Sequence, residues 1–163
     1  SEYVKIRTGM FGSACVTSVL TAGLKIEHVN SNGAVSPAMR DDELPEAYAT
    51  STVYLGASRV NQEIDDEGFG ISFVEAGASG VPSVAGDSGG VRSAVRDGET
   101  GIVVPPTDPD AIADALRSLL LNPDRRKQMG RAARHAVETH YNWDRVARDT
   151  RDFTYQVVGR GPQ

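Results

Sequence analysis

Short apolar runs alternate with segments of helical spacing along most of this chain. Three apolar runs, at 52–55, 82–85 and 102–104, are separated or followed by segments whose apolar residues recur every three or four positions. Strands that alternate with helices in this way build βαβ units, and βαβ units give a parallel sheet. The pattern therefore predicts an α/β fold, a Rossmann-like parallel sheet with helices on both faces.

The expected elements follow from this pattern. Strands are expected at 4–7, 26–29, 52–55, 82–85 and 102–104, and helices over 13–22, 42–50, 71–78, 91–95, 109–120, 124–139 and 143–153. Asp108 can cap the helix that begins at Pro109, because its carboxylate can accept hydrogen bonds from the first free N–H groups. Proline suits the first helical position because it has no N–H group that would lack a partner. Neither a repeat nor a break in composition divides the chain, so residues 1–163 are expected to form one domain.

The charge balance excludes one class of partner. The chain of 163 residues has a net charge of −5 and a pI near 5.2, whereas nucleic-acid binding needs clustered positive charge. We therefore expect no nucleic-acid partner. The arginine-rich stretch 125–134 is the local exception. It is interpreted as a solvated helix face, and a contact with an anionic membrane or a partner domain is the alternative.

Metal, disulfide and membrane signals are weak. Cys15 is the single cysteine, so it cannot form an internal disulfide, and a buried thiol is expected. No apolar run approaches the roughly 20 residues of a membrane span, and the first residues lack the pattern of a signal peptide. A cytoplasmic location is expected.

Two glutamates flank a Gly-Phe-Gly turn in the segment EGFGISFVE, residues 67–75. The spacing leaves Glu67 on a loop and Glu75 about one turn into the next helix. The start of that helix has free N–H groups and a partial positive charge, which suit a phosphate. The carboxylates can accept hydrogen bonds from hydroxyl groups. The segment is therefore a candidate site for a ligand with phosphates and hydroxyls.

The pentapeptide GDSGG, residues 86–90, offers a competing interpretation. It matches G-x-S-x-G, in which a serine nucleophile lies between a strand and a helix, and His135 and His140 follow in the order of an α/β-hydrolase. Ser88 is therefore the nucleophile of an alternative hypothesis, a serine hydrolase. The two histidines fall on a polar helix, where solvent exposure is expected, and their spacing of five excludes the HExxH zinc motif.

The span from about Gly33 to Trp143 resembles the nucleotide-sugar-binding half of family-4 retaining glycosyltransferases, which have the two-domain GT-B fold. This span covers about two thirds of the chain. Five segments occur in the family's order: GAVS, DDELPEAYATSTVYLGASR, EGFGISFVEAGASGVPSVAGDSGG, DGETGIVVPPTDPDAIADALRSLL and RRKQMGRAARHAVETHYNWDRVA.

The resemblance implies a role for each matching position. Glu67 matches the first glutamate of the E-x7-E motif, beside the donor sugar, and is the candidate catalytic residue. Glu75 matches the second glutamate, which binds the ribose hydroxyls. The implied donor-binding backbone positions are Phe69, Gly70, Ile71, Gly33, Val35, Gly89 and Gly90, with 33–36 touching the base. The family implies a nucleotide-sugar donor and no metal ion or other cofactor.

The sequence departs from the family pattern in two places. The expected first strand-helix unit, with its diphosphate-binding arginine and lysine, does not precede Val4, and the acceptor domain is absent. The chain is therefore expected to be an incomplete donor domain with little transferase activity alone. GDP-mannose is favoured as donor over UDP-sugars, and peripheral membrane contact is left open. A non-catalytic binding module of the same fold is a further alternative.

Overall fold

A computed structural model of the chain describes residues 41–56 and 68–159. A 3-10 turn, Asp41–Glu43, leads into the first helix. The elements that follow are α1 (Leu44–Ala49), β1 (Tyr54–Gly56), α2 (Ile71–Ala78), β2 (Ser83–Gly86), α3 (Val91–Ala94), β3 (Gly101–Val104), α4 (Pro109–Leu120), α5 (Pro123–Thr139) and α6 (Trp143–Val158). The elements expected within residues 4–29 lie outside the described residues.

The three described strands form one parallel sheet in the order β1-β2-β3. Leu55 is paired with Val84, and Val84 with Ile102, in the two registers. Each strand is followed by a helix, so the carboxyl ends of the strands meet at one edge of the sheet. The predicted α/β class with a parallel sheet is confirmed.

Both faces of the sheet are covered by apolar side chains. Successive strand residues point to opposite faces. Leu55 therefore packs in one core with Val84 and the α4 residues Ile112 and Leu116. Tyr54 packs on the other face, where helices α1, α2 and α3 contribute the core residues Tyr48, Phe73, Ala76, Val91 and Ala94. Burial on both faces explains why the strands read as continuous apolar runs.

Side-chain caps fix the starts of the long helices. Asp108 accepts hydrogen bonds from the N–H groups of Asp110 and Ala111 at 3.1 and 3.0 Å, as its position before Pro109 predicts. Asn122 caps α5 in the same way, through the N–H of Arg125. α5 therefore begins at Pro123, one residue before the expected start.

The last helix is longer than expected. α6 continues to Val158 rather than ending near residue 153, and Gly159 ends it with a left-handed φ of 65°. Glycine adopts this conformation without the Cβ penalty, which makes it the natural stop. Within residues 41–56 and 68–159, no helix has both the length and the apolar character needed to cross a membrane.

Candidate functional site

The start of α2 lies close to the ends of β1 and β2. Gly70 precedes the helix with a left-handed φ of 84°, and its carbonyl accepts a hydrogen bond from the N–H of Phe73 at 3.0 Å. The Phe73 ring is 5% exposed and packs beneath both Gly70 and Gly56, the last residue of β1. The buried ring therefore fixes the helix start at the carboxyl edge of the sheet.

No side chain caps this helix start among the described residues. The first N–H groups of a helix lack partners within the helix and carry its positive dipole end. At α2 they belong to Ile71 and Ser72, and the Ile71 side chain is 68% exposed. The start of α2 therefore offers N–H groups that no described side chain caps.

The two glycine segments predicted to line one crevice are in direct contact. A Cβ placed on Gly90 would lie 1.9 Å from the carbonyl oxygen of Gly68 and 3.3 Å from the Cα of Phe69. Only glycine permits this approach, because both neighbouring atoms are backbone. Gly89 precedes it with a φ of 54°. Residues 68–70 and 89–90 therefore form one continuous backbone wall at the α2 start.

The Glu75 carboxylate is held by a residue that sequence reasoning did not identify. The hydroxyl of Tyr48 in α1 donates a hydrogen bond to Glu75 Oε2 at 3.0 Å. Tyr48 is only 4% exposed and its ring packs edge-on against Tyr54, with centroids 5.8 Å apart. Glu75 itself is exposed. A carboxylate has about four acceptor positions, so it can accept further hydrogen bonds from a ligand while bound to Tyr48.

An aromatic contact supports the other side of the turn. Phe69, 41% exposed, lies edge-on to Tyr141 with ring centroids 5.9 Å apart. The Tyr141 hydroxyl donates to the carbonyl of Ser93, within α3, at 2.6 Å. The connection between α5 and α6 therefore joins the 68–70 segment to the helix that follows the glycine loop.

An ion pair lies next to the glycine loop. Arg92 donates to both carboxylate oxygens of Asp87, from Nε at 2.8 Å and from the terminal nitrogen at 2.7 Å. This hydrogen bonding holds the pKa of Asp87 below its ordinary value and raises the pKa of Arg92. Arg92 is thus a cation within two residues of Gly90, and Asp87 balances its charge.

Ser88 lies in the same loop but lacks the surroundings of a nucleophile. Its hydroxyl is buried and has no hydrogen-bond partner among the described residues, and the residue is 4% exposed. His135 lines a cavity beside Gly80, after the far end of α2, and His140 stacks edge-on against Tyr141. Neither histidine hydrogen-bonds to Ser88 within the described ranges, so the hydrolase hypothesis gains no support from the geometry.

The candidate residues therefore divide into two groups. The structure brings Phe69, Gly70, Ile71, Gly89 and Gly90 together around the start of α2, with Glu75 one turn along the helix. The remaining candidates, Glu67, Gly33 and Val35, lie outside the described residues. Their roles stay predictions.

Comparison with known proteins places this geometry in a family. Residues 24–136 match the sequence profile of the family described as "Glycosyl transferases group 1". The chain belongs to this glycosyltransferase family. The matched range includes the α2 start, Glu75, the glycine loop and Tyr48, so the whole described crevice falls within it. The resemblance noted from the sequence is confirmed.

A curated relative shares a substantial part of the sequence. The GDP-mannose-dependent alpha-(1-6)-phosphatidylinositol monomannoside mannosyltransferase of Mycobacterium tuberculosis is 40% identical over 128 residues. The aligned region is 78% of this chain and 32% of the relative. The chain thus spans about a third of that enzyme's length.

Solved structures agree on the fold. The C-terminal domain of a group 1 glycosyltransferase, LpcC of Francisella tularensis, matches with a TM-score of 0.61 and 26% identity, over 78% of this chain and 60% of that one. HepE of Anabaena in complex with UDP and glucose matches with a TM-score of 0.63 and 16% identity, over 93% of this chain and 39% of HepE. The fold is therefore that of GT-B glycosyltransferases.

Proposed function

We propose that this chain forms the donor-binding part of a retaining hexosyltransferase that uses a nucleotide sugar. The observation that carries the proposal is the contact between residues 68–70 and 89–90 at the uncapped start of α2, with Glu75 one turn further along. Parallel α/β sheets bind ligands at the carboxyl ends of their strands, where this wall lies. Family membership supplies the chemical class of the ligand.

Each part of the crevice suits one part of such a donor. The N–H groups of Ile71 and Ser72 suit the diphosphate, since transfer of the sugar leaves extra negative charge there and a helix start stabilises it. Glu75, held by Tyr48, suits the two ribose hydroxyls as a paired acceptor. Glu67 is proposed to lie beside the sugar, and 33–36 beside the base.

GDP-mannose is the donor we favour. The relative at 40% identity uses GDP-mannose, whereas the neighbour bound to UDP and glucose is only 16% identical. The higher identity outweighs the fold likeness, because the GT-B fold is shared by enzymes with different donors. Binding without a divalent metal ion and transfer with retention are parts of the same proposal, taken from the family resemblance.

Calorimetric titration of the chain with GDP, UDP and ADP tests the donor site directly. We expect GDP to bind most tightly and Glu75→Gln to weaken its binding about tenfold or more, because hydrogen bonds to a charged group are worth about 1.5–3 kcal/mol. A chelator in the buffer should leave the affinity unchanged. Tight UDP binding with no GDP binding would refute the preference for guanine but would still support a nucleotide-binding site in this crevice.

Glu99→Gln is the matched control. Glu99 is exposed, lies in the turn before β3 at the opposite end of the strands, and pairs only with the exposed Arg96 among described residues. The same change of charge there should leave GDP binding unaltered. Equal losses in the Glu75 and Glu99 variants would show a general charge effect, and the ribose assignment would then be wrong.

Two alternatives remain testable beside this proposal. A serine hydrolase with Ser88 as nucleophile predicts covalent labelling by a fluorophosphonate probe. A non-catalytic module of the same fold predicts donor binding with no transfer, even in the complete parent protein supplied with acceptor. Absence of labelling together with transfer by the parent protein would exclude both alternatives.

A further inference from the structure

A second cavity lies away from the donor crevice, against the exposed side of α5. It is a depression of about 370 Å³ that opens broadly to solvent. The lining residues are Gly80, Lys127, Arg131, Arg134, His135 and Glu138. Gly80 belongs to the turn that follows α2, whereas the donor crevice surrounds the start of that helix. The two sites therefore lie at opposite ends of α2.

Helical spacing brings the side chains of this cavity together. Lys127, Arg131 and His135 are each four residues apart on α5, so they lie one above the other on the same face. The backbone beneath them is fixed, because a Cβ on Gly130 would lie 2.1 Å from the carbonyl oxygen of Gly80. This close approach holds the turn at Gly80 against the cationic face of the helix.

The cavity carries unbalanced positive charge. Arg134 donates to Glu138 Oε1 at 2.6 Å and also to the carbonyl of Ala78, so these two charged side chains offset each other. Lys127 and Arg131 form no ion pair with any residue of the described ranges. Two free cations thus face one cavity in a chain whose net charge is −5.

We propose that this cavity binds a phosphate group, independently of the proposed donor site. Lys127 supplies a flexible ammonium and Arg131 a planar guanidinium, which can bind two phosphate oxygens at once. His135 adds an N–H donor from the same helix face. The phosphate can belong to a soluble ligand or to a lipid headgroup, and both present the same anionic oxygens to these residues.

Nuclear magnetic resonance titration of the whole chain with inorganic phosphate tests the soluble source. Inorganic phosphate should shift the amide signals of Gly80, Arg131 and His135, which line or adjoin this cavity. The double variant Lys127→Gln/Arg131→Gln should weaken this binding roughly tenfold or more, since it removes both charge-assisted contacts to the phosphate oxygens.

Co-sedimentation tests the lipid source. Vesicles of phosphatidylcholine and phosphatidylglycerol, at about three to one, should retain the chain better than phosphatidylcholine alone if the headgroup is the ligand. The matched control is the double variant Arg125→Gln/Arg148→Gln, which removes two exposed arginines that do not line the cavity. Its binding should equal that of the unmodified chain in both assays.

The outcomes separate cleanly. Loss of binding in the Lys127/Arg131 variant alone supports the phosphate site in this cavity. The assay in which binding is lost identifies the source of the phosphate. Equal losses in both double variants would show diffuse electrostatic attraction and overturn the proposal. Absence of binding in both assays would overturn it as well. The substituted residues and the observed amide signals all lie at this cavity and not at the start of α2, so these results are independent of whether the donor assignment is correct.

Discussion

Gly90→Ala should disrupt the donor crevice more than it disrupts the fold. The φ of Gly90 is −83°, which alanine adopts without strain, so the effect comes from contact alone. The new Cβ would lie 1.9 Å from the Gly68 carbonyl oxygen, whereas ordinary contact begins near 3.4 Å. The two backbone segments must therefore separate by about 1.5 Å, and neither has a flexible side chain that can move instead.

This separation can be converted into measurable quantities. Overpacking of this kind costs about 1–3 kcal/mol. For a chain of this size each kcal/mol lowers the melting temperature by about 2–4 °C, so a decrease of about 2–12 °C is expected. Moving residues 68–70 also displaces the N–H groups at the start of α2 from the position proposed for the diphosphate. Losing one charge-assisted hydrogen bond would weaken GDP binding about 10- to 100-fold.

Two other glycines provide controls. Gly130→Ala creates a similar overlap, 2.1 Å from the Gly80 carbonyl oxygen, but at the far end of α2. It should lower the melting temperature and leave GDP affinity unchanged. Gly68→Ala adds a Cβ with nothing within 4 Å, so it should leave the melting temperature unchanged and serves as the stability control for a methyl group added to the same wall. If Gly90→Ala binds GDP normally, or if Gly130→Ala loses binding equally, the backbone wall is not part of the donor site.

Three further predictions address single contacts. Tyr48→Phe removes the hydrogen bond to Glu75 and should weaken GDP binding, measured by calorimetry, about 2- to 10-fold. The melting temperature of the variant is the control for loss of stability. Unchanged affinity would mean that Tyr48 does not position the carboxylate. Arg92→Gln should raise the pKa of Asp87 toward 3.8, because it removes the hydrogen bonds that stabilise the ionised carboxylate. In the unmodified chain the ion pair is present above the lowered pKa and is lost as pH falls through it. A carbon-detected NMR titration measures this pKa, and an unchanged midpoint would contradict the pairing. Leu116→Ala, at a position 0% exposed, should cost about 2–5 kcal/mol in urea denaturation, and a loss below 1 kcal/mol would contradict its place in the core.

Local sequence signals predicted the elements well where a residue marks the boundary. α2 spans Ile71–Ala78 as expected, because Gly70 and the apolar spacing define its start. Prediction of β1 was less accurate: 52–55 was expected, but the ladder with β2 involves Tyr54–Gly56. Val53 is apolar and fully buried without belonging to the strand. Burial and strand pairing are different properties, and an apolar run reports only burial.

The candidate site could be predicted only in part, for a related reason. The glycines and Glu75 belong to short motifs whose spacing is visible in the sequence. Tyr48 is separated from Glu75 by 27 positions and meets it only because α1 and α2 pack together. The contact between Gly68 and Gly90 likewise depends on the tertiary arrangement of two loops. Neither partner carries a local signal that could have identified it.

The wall of the proposed donor crevice consists largely of main chain, and this has an evolutionary consequence. Peptide N–H and carbonyl groups are the same whatever the amino acid, so substitution of neighbouring polar side chains leaves the wall's chemistry intact. Change can come only from altering the path of the chain, and Gly90 fixes that path by excluding a Cβ. A saturation library should therefore tolerate many residues at Ser72 and almost none at Gly90, and new donor preferences should arise from side chains outside this wall.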